Sequence, residues 1–429
     1  MNAQLREDAM DTKPRVVVVG GGLAGMETLF ALRRRLSDRV DLTLVADRDE
    51  FEFRPATVYV PFGGAEDDLT IPVAAPAERQ GIAVERGAVA WVETDPKRLA
   101  LADGRTLDYD YLVLATGAAM RPERVPGLAE HAHLVGALNQ MRELGRTLRR
   151  VREAAVDGSP QHVLFLVPPD SQCPGPVYEL AFMLETWLRR SRVRDRVCLT
   201  FATSEERYLE SFGTGLHPVI EAEFTERGII SHVRSAVERV EPHRARFADG
   251  TAHTFDALVS TAPQAASVDY EGLPQDRNGF LLTEPDTRRV RCTDAVYAPG
   301  DAGDFPVKLG YLSLLQADAV ADDIAARIDP AAVTDPRRFD PVGLYVLEML
   351  DDAVFAQTPL TLTGEPAARA GSGHRIGVSP IWHLGKKTLG TYLPQQFRAG
   401  HPVHGGLAQD AVSLGLKGLT RTISGAVRE

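Results

Sequence analysis

Cysteine is scarce in this chain: Cys173, Cys198 and Cys292 are the only three among 429 residues. An odd, sparse set argues against a disulfide framework and for a reducing compartment, and its spacing matches no zinc motif. No metal site is expected. Long apolar runs are missing too: nothing approaches the roughly 18 consecutive apolar residues of a spanning helix. Met1 to Arg15 is polar and charged, without the apolar stretch of a secretory leader, so a cytoplasmic chain is expected. Positive charge is in deficit, since 48 Lys and Arg against 59 Asp and Glu leave a formal −11. An acidic chain with no basic run lacks the electrostatic footprint of a nucleic-acid binder.

What is present is an ordinary globular composition, 44% apolar and 25% charged, on a chain long enough for two or three domains. Residues 15–19 form a short β-branched run that reads as a buried parallel strand. A glycine-rich turn, a helical stretch over 26–36 and a second strand over 40–45 follow, which completes a βαβ unit. Gly20, Gly22 and Gly25 stand as G-x-G-x-x-G. The first glycine permits the turn, the second admits a pyrophosphate and the third lets helix and strand pack. The helix N-terminus then offers free N–H groups to phosphate. Asp47, at the end of the second strand, is placed to accept ribose hydroxyls.

An internal repeat is visible. Asp103-Gly104 and Asp249-Gly250 each read as a hairpin turn, and each is followed by an apolar strand, 111–115 and 257–260. Between them lies a second αβ pattern, with strands over 162–167 and 196–202 and a helix over 178–189. The spacing points to a duplicated unit. We therefore expect an α/β chain of two Rossmann-like, three-layer ββα domains plus a C-terminal α/β segment with amphipathic helices. The expected boundaries are 1–120 and 251–335 for the first domain, 121–250 for the second, and 336–429 for the C-terminal segment. In that segment Val412, Leu416, Leu419, Ile423 and Val427 recur at helical spacing, and Trp382, Leu389 and Tyr392 suggest another such stretch.

Residues 111–117 and 296–301 are similar to the two later fingerprints of FAD-binding flavoproteins of the pyridine-nucleotide-disulfide-reductase type. Further segments resemble the sulfide:quinone oxidoreductase family. Residues 47–55 resemble its D-R-x-x-F-x-F-x-P stretch, 173–179 its C-x-G-P-x-Y-E, 201–205 its F-x-T-S-E and 306–311 its P-K-T-G-Y. Trp382-His383-Leu384 with Tyr392 is similar to the start of its membrane-contacting helix. The resemblance implies FAD, held by Gly20, Gly22, Gly25, Asp47, Arg48, Pro55, Ala115, Thr116, Gly117, Gly300, Asp301, Lys308 and Gly310. Asp301 would bond the ribityl chain, and the helix after Gly310 would point its N-terminus at the flavin pyrimidine. Flavocytochrome c sulfide dehydrogenases and type II NADH dehydrogenases share this architecture.

The departures are as specific. Family members that oxidise sulfide use paired cysteines near the flavin. Cys173 matches one of them, but the partner expected within 344–354 and the third expected near 135–138 are absent. Histidines expected near Asn139 and Glu210 are absent as well. Cys198, inside a strand, and Cys292, beside one, read as structural. Cys173 stands at a helix N-terminus, where the dipole favours a thiolate, and Glu179 one turn on is a candidate proton donor or acceptor. A small buried thiol and a first-turn glutamate are the plain alternatives.

The resulting expectation is an FAD-dependent oxidoreductase. It would pass two electrons from a reduced sulfur compound or thiol, through FAD and Cys173, to a quinone-like acceptor. The other expectations are a homodimer and peripheral contact of the C-terminus with the inner face of a membrane. The alternatives are an NAD(P)H-dependent reductase of the same fold and a catalytically altered flavin-binding homologue. Against NAD(P)H stands the second βα turn, where Pro168 and Pro169 replace the glycines that pyrophosphate approach requires.

Overall fold

A computed structural model describes residues 13–366 and 374–403. In chain order, β1 (Arg15–Val19), α1 (Leu23–Leu36), β2 (Asp41–Ala46) and β3 (Ala83–Arg86) come first. The antiparallel strands β4 (Val89–Thr94), β5 (Lys97–Leu101) and β6 (Thr106–Asp108) precede β7 (Tyr111–Leu114). The second half repeats this plan. It runs through β8 (His133–Leu134), α2 (Leu138–Val156), β9 (Gln161–Val167), α3 (Gly175–Arg190), β10 (Val197–Thr203), α4 (Leu216–Glu226) and β11 (Ile230–His232). Antiparallel β12 (Val237–Glu241), β13 (Arg244–Phe247) and β14 (Ala252–Thr254) then precede β15 (Ala257–Ser260). The chain returns through β16 (Val296–Tyr297) and α5 (Gly310–Ile328), and continues with β17 (Val342–Glu348), β18 (Ala353–Pro359), β19 (Arg375–Val378) and α6 (Pro380–Ala399).

Two five-stranded parallel sheets result, β16-β7-β1-β2-β3 and β8-β15-β9-β10-β11. The valines of β1 and Leu112 to Leu114 of β7 are buried on both sheet faces, which explains their unbroken apolar runs. Each sheet carries a three-stranded antiparallel flap whose hairpin closes at an Asp-Gly turn, with Gly104 and Gly250 at φ +89° and +86°. The first sheet is discontinuous in sequence, because its edge strand β16 arrives only after the whole second half. Chain segments cross between the halves where Ala118–Met120 pairs antiparallel with Gln264–Ala266.

One expected boundary moves. Residues 257–260 were assigned to the first domain, yet β15 pairs with β9 inside the second sheet. The repeat gives the reason: the hairpin at 249–250 corresponds to that at 103–104, and the strand after each hairpin stays in its own half. The second half therefore runs to the crossing near Gln264. The helical spacing over 412–427 lies outside the described residues. Among the described residues, no helix is long and apolar enough to cross a membrane.

Candidate functional site

The candidate residues of the first half gather at the carboxyl ends of β16, β7, β1 and β2, where doubly wound sheets take ligands. Gly20 leaves β1 at φ +110°, with its missing Cβ against the Ala115 carbonyl. Gly22 begins α1 with open space on its Cβ side, and no side chain caps that helix. The uncapped first-turn N–H groups therefore form a cradle fit for an anion. Thr116 and Gly117 follow β7 alongside; the Thr116 hydroxyl takes a hydrogen bond from Tyr270 at 3.1 Å. Asp47 and Arg48 sit at the rim, 63% and 78% exposed in their side chains.

Gly300 and Asp301 follow β16. The Asp301 carboxyl is enclosed, and burial pushes its pKa up while Lys308 and Arg54 pull it down. Its one hydrogen bond among the described residues is a long one from Ser313, at 3.5 Å. An enclosed carboxylate so poorly paired is costly unless a donor arrives. Ribityl hydroxyls would be such donors, so the residues fit the dinucleotide that the sequence implies. Gly310 opens α5, which has no side-chain cap, and its Cβ side faces Leu23 and Pro55.

Lys308 is held within its own turn. Its ammonium donates to the Gly303 carbonyl at 2.6 Å and lies 3.9 Å from the centre of the Phe280 ring. Burial lowers its pKa to about 8. Through these contacts it buttresses the Asp301 turn, and its charge acts on the Asp301 carboxyl.

Across the crevice, the loop before α3 carries Cys173, and the Gln172 carbonyl accepts a hydrogen bond from the Lys308 backbone N–H at 3.2 Å. The expected dipole-stabilised thiolate is corrected here. Burial pushes the Cys173 thiol up to about 12, with Asp301 and Glu179 adding to it and Arg54 opposing. Desolvation and two carboxylates outweigh one helix end. The thiol lines a cavity of about 10 Å³ with Gln172, Leu209, Phe212 and Tyr345, which is room for one water-sized molecule. Gln172 Oε1 and Tyr345 Oη beside it lack well-aligned partners. The reading of Cys198 and Cys292 as structural thiols is corrected too, since both are exposed.

Sequence reasoning missed the polar cluster behind Cys173. Glu179 is buried and ion-paired with Lys386 of α6, and its Oε1 accepts the Glu348 backbone N–H at 3.1 Å. Burial raises the Glu179 pKa and Lys386 works against that. Lys386 also donates to the Val346 carbonyl at 2.9 Å. Tyr59, Glu348 and His383 continue the cluster. Strand β17 occupies the segment where a partner thiol was expected and brings Tyr345 and Glu348 in its place. The acidic end of the apolar run of β17 and the His and Lys in the first two turns of α6 were the available signals, but neither says which residues meet.

Residues 14–164 match the model of the pyridine nucleotide-disulphide oxidoreductase family. The sulfide-quinone reductase of Aquifex aeolicus is 30% identical over 246 residues, 56% of this chain and 55% of the relative, so the match spans about half of that protein's length. An NADH dehydrogenase-like protein of Mycobacterium tuberculosis is 26% identical over 322 residues, 70% of this chain and 76% of the relative. The X-ray structure of the Aquifex aeolicus sulfide:quinone oxidoreductase superposes with a TM-score of 0.80 at 21% identity, covering 94% of this chain and 96% of that one. The fold is thus that of an FAD-dependent oxidoreductase.

Proposed function

We propose, with that fold as premise, that this chain is an FAD-dependent oxidoreductase that moves two electrons from a reduced sulfur compound or thiol to a quinone-like acceptor. One observation carries the reading: Gly300 packs against Ala24 at the start of α1, and the Asp301 carboxyl beside it acts electrostatically on Cys173, which ties the α1 cradle, the carboxyl and the thiol to one neighbourhood. FAD bound there supplies the two-electron chemistry. The open first turn of α1 would hold the pyrophosphate, with Asp47 toward the ribose and Asp301 toward the ribityl chain. Cys173 meets the donor, and its high pKa keeps the thiol protonated until an anion is drawn off. Glu179, ion-paired with Lys386 and acting electrostatically on the thiol, is a candidate to take that proton. Exposed Ile381 and Leu384 on α6 support contact with an apolar acceptor or a membrane surface.

The NAD(P)H reading is weaker for a structural reason. A second nucleotide would need the N-terminus of α3, but a Cβ on Gly175 would run into the Tyr345 hydroxyl, so that end is already covered. The test is anaerobic mixing of the yellow protein with sulfide, a small thiol, a persulfide and NADH side by side. Sulfur donors should bleach the flavin and NADH should do so slowly or not at all. Fast stoichiometric bleaching by NADH alone would transfer the chain to the reductase class.

A further inference from the structure

Glu348 ends β17 with no exposure to solvent. Its Oε1 accepts the backbone N–H groups of Met349 and Leu350 at 3.1 and 2.7 Å, and meets Nδ1 of His383 at 2.5 Å. Its Oε2 accepts the Tyr59 hydroxyl at 2.6 Å. The carboxylate is therefore gripped by three segments, β17, residues 54–62 and α6. Leu350 at φ +73° bends the chain so that its N–H points back at the carboxylate. A histidine whose Nδ1 is held by a carboxylate carries its proton there, which leaves Nε2 as the exchanging nitrogen. His383 is 17% exposed in its side chain, and Nε2 has no hydrogen bond among the described residues.

The surroundings select the ligand. Ile381 and Leu384, 41% and 63% exposed, flank His383 on α6, and Trp382 stacks on Phe355 with ring centres 4.3 Å apart. The other titratable groups facing the pair are Tyr59 below, Asp352 in the β17–β18 turn, and Glu179 with Lys386. An apolar rim around a proton-exchanging imidazole suits a molecule that is apolar yet gains protons on reduction.

We propose that Glu348 and His383 form an acid–base dyad that protonates a quinone-class electron acceptor, on the strand where a second redox thiol would otherwise stand. This rests on the reading under Proposed function. With two electrons and one proton supplied as a hydride equivalent by the bound cofactor, the quinone would take its second proton from Nε2 of His383 in the imidazolium form and leave as the quinol. The ring is left a neutral imidazole whose Nδ1–H stays hydrogen-bonded to Glu348, and a proton from bulk solvent restores Nε2–H. His383 is the catalytic residue and Glu348 the positioning residue.

The experiment uses the full chain with FAD bound, pre-reduced and mixed anaerobically with a water-soluble short-chain quinone or with ferricyanide, which takes electrons without protons. His383→Gln should slow re-oxidation by the quinone about a hundredfold and flatten its pH profile, with the ferricyanide rate unchanged. Glu348→Gln, which keeps the shape and the Tyr59 contact, should slow the quinone step by roughly tenfold. In 15N spectra of the flavin-free protein, recorded at alkaline pH where the ring is neutral, His383 should be the Nδ1–H tautomer in the parent and a tautomer mixture in Glu348→Gln. Equal slowing with both oxidants, an unchanged pH profile in His383→Gln, or an Nε2–H tautomer in the parent overturns the dyad. A parent that no quinone re-oxidises removes the acceptor reading instead, and the tautomer result still decides the Glu348–His383 pairing.

Discussion

The two halves share a plan and differ at one end. In the first, α1 begins at Gly22 with open space before it, and Asp47 points to solvent at the rim. In the second, α3 begins at Gly175 beneath the Tyr345 hydroxyl. Glu205, which follows β10 as Asp47 follows β2, is turned inward to accept Tyr178 at 2.5 Å and Thr203 at 2.8 Å. One copy keeps its ligand cradle. In the other the equivalent end is covered by Tyr345 of the C-terminal segment, and Tyr178 holds the inward Glu205. A duplicated fold therefore predicts where a ligand could sit, but the residues over each helix N-terminus decide whether one does.

Making the first half resemble the second should have the largest effect. Gly22 has φ −85° and free space, so Gly22→Leu should fold with a near-parental thermal midpoint. It should nevertheless lose FAD affinity by about two orders of magnitude, about 2.7 kcal/mol, read as visible absorbance retained through gel filtration. Full yellow colour in that variant would mean that the pyrophosphate does not use the α1 end. Next, Cys173→Ser should cut donor-dependent flavin reduction by roughly tenfold or more while leaving the flavin spectrum intact. Undiminished reduction would leave Glu179 as the next group to test.

A smaller effect separates the two carboxylates by pH. Burial raises Glu205 from the ordinary 4.5 to about 7 in the folded chain, against the pull of Tyr178 and Thr203. A raised acid favours the folded state while protonated. Its contribution is therefore fullest below pH 4.5 and fades as pH climbs to 7, by at most about 3 kcal/mol. Denaturant titrations should show the parent losing that much more stability than Glu205→Gln across this window, and parallel curves would contradict the inward carboxylate. Least affected should be Cys198→Ser and Cys292→Ser. Both positions are exposed, so stability should change by no more than about 0.5 kcal/mol and flavin reduction not at all.

Features that depend on neighbours in sequence were legible before the structure. The Gly20 turn, the two Asp-Gly hairpins and the helix of residues 175–190 all follow from local chemistry. The domain boundary slipped because a hairpin resembles a junction, and only the pairing of β15 with β9 shows otherwise. The state of Cys173 was not legible. The carboxylates that raise its pKa come from Glu179, six residues on, and from Asp301 in the other half. Lys308 sits in a matching motif, but its direction is set by Phe280 and Gly303. The Glu348–His383 pair joins strand to helix through the fold, and no spacing rule anticipates it.

The late arrival of β16 has a consequence for biosynthesis. Strand β7 leaves the ribosome at residue 114, but its edge partner begins at Val296 and the Asp301 turn follows that. At about 5–20 residues per second, the first sheet waits roughly ten to forty seconds with an open edge and half of its cofactor site. The second half, contiguous from residue 121 to 263, can fold within that interval. Completion of the α1 cradle is thereby deferred until the Asp301 turn has emerged, and the α3 end is covered only later still, when β17 brings Tyr345.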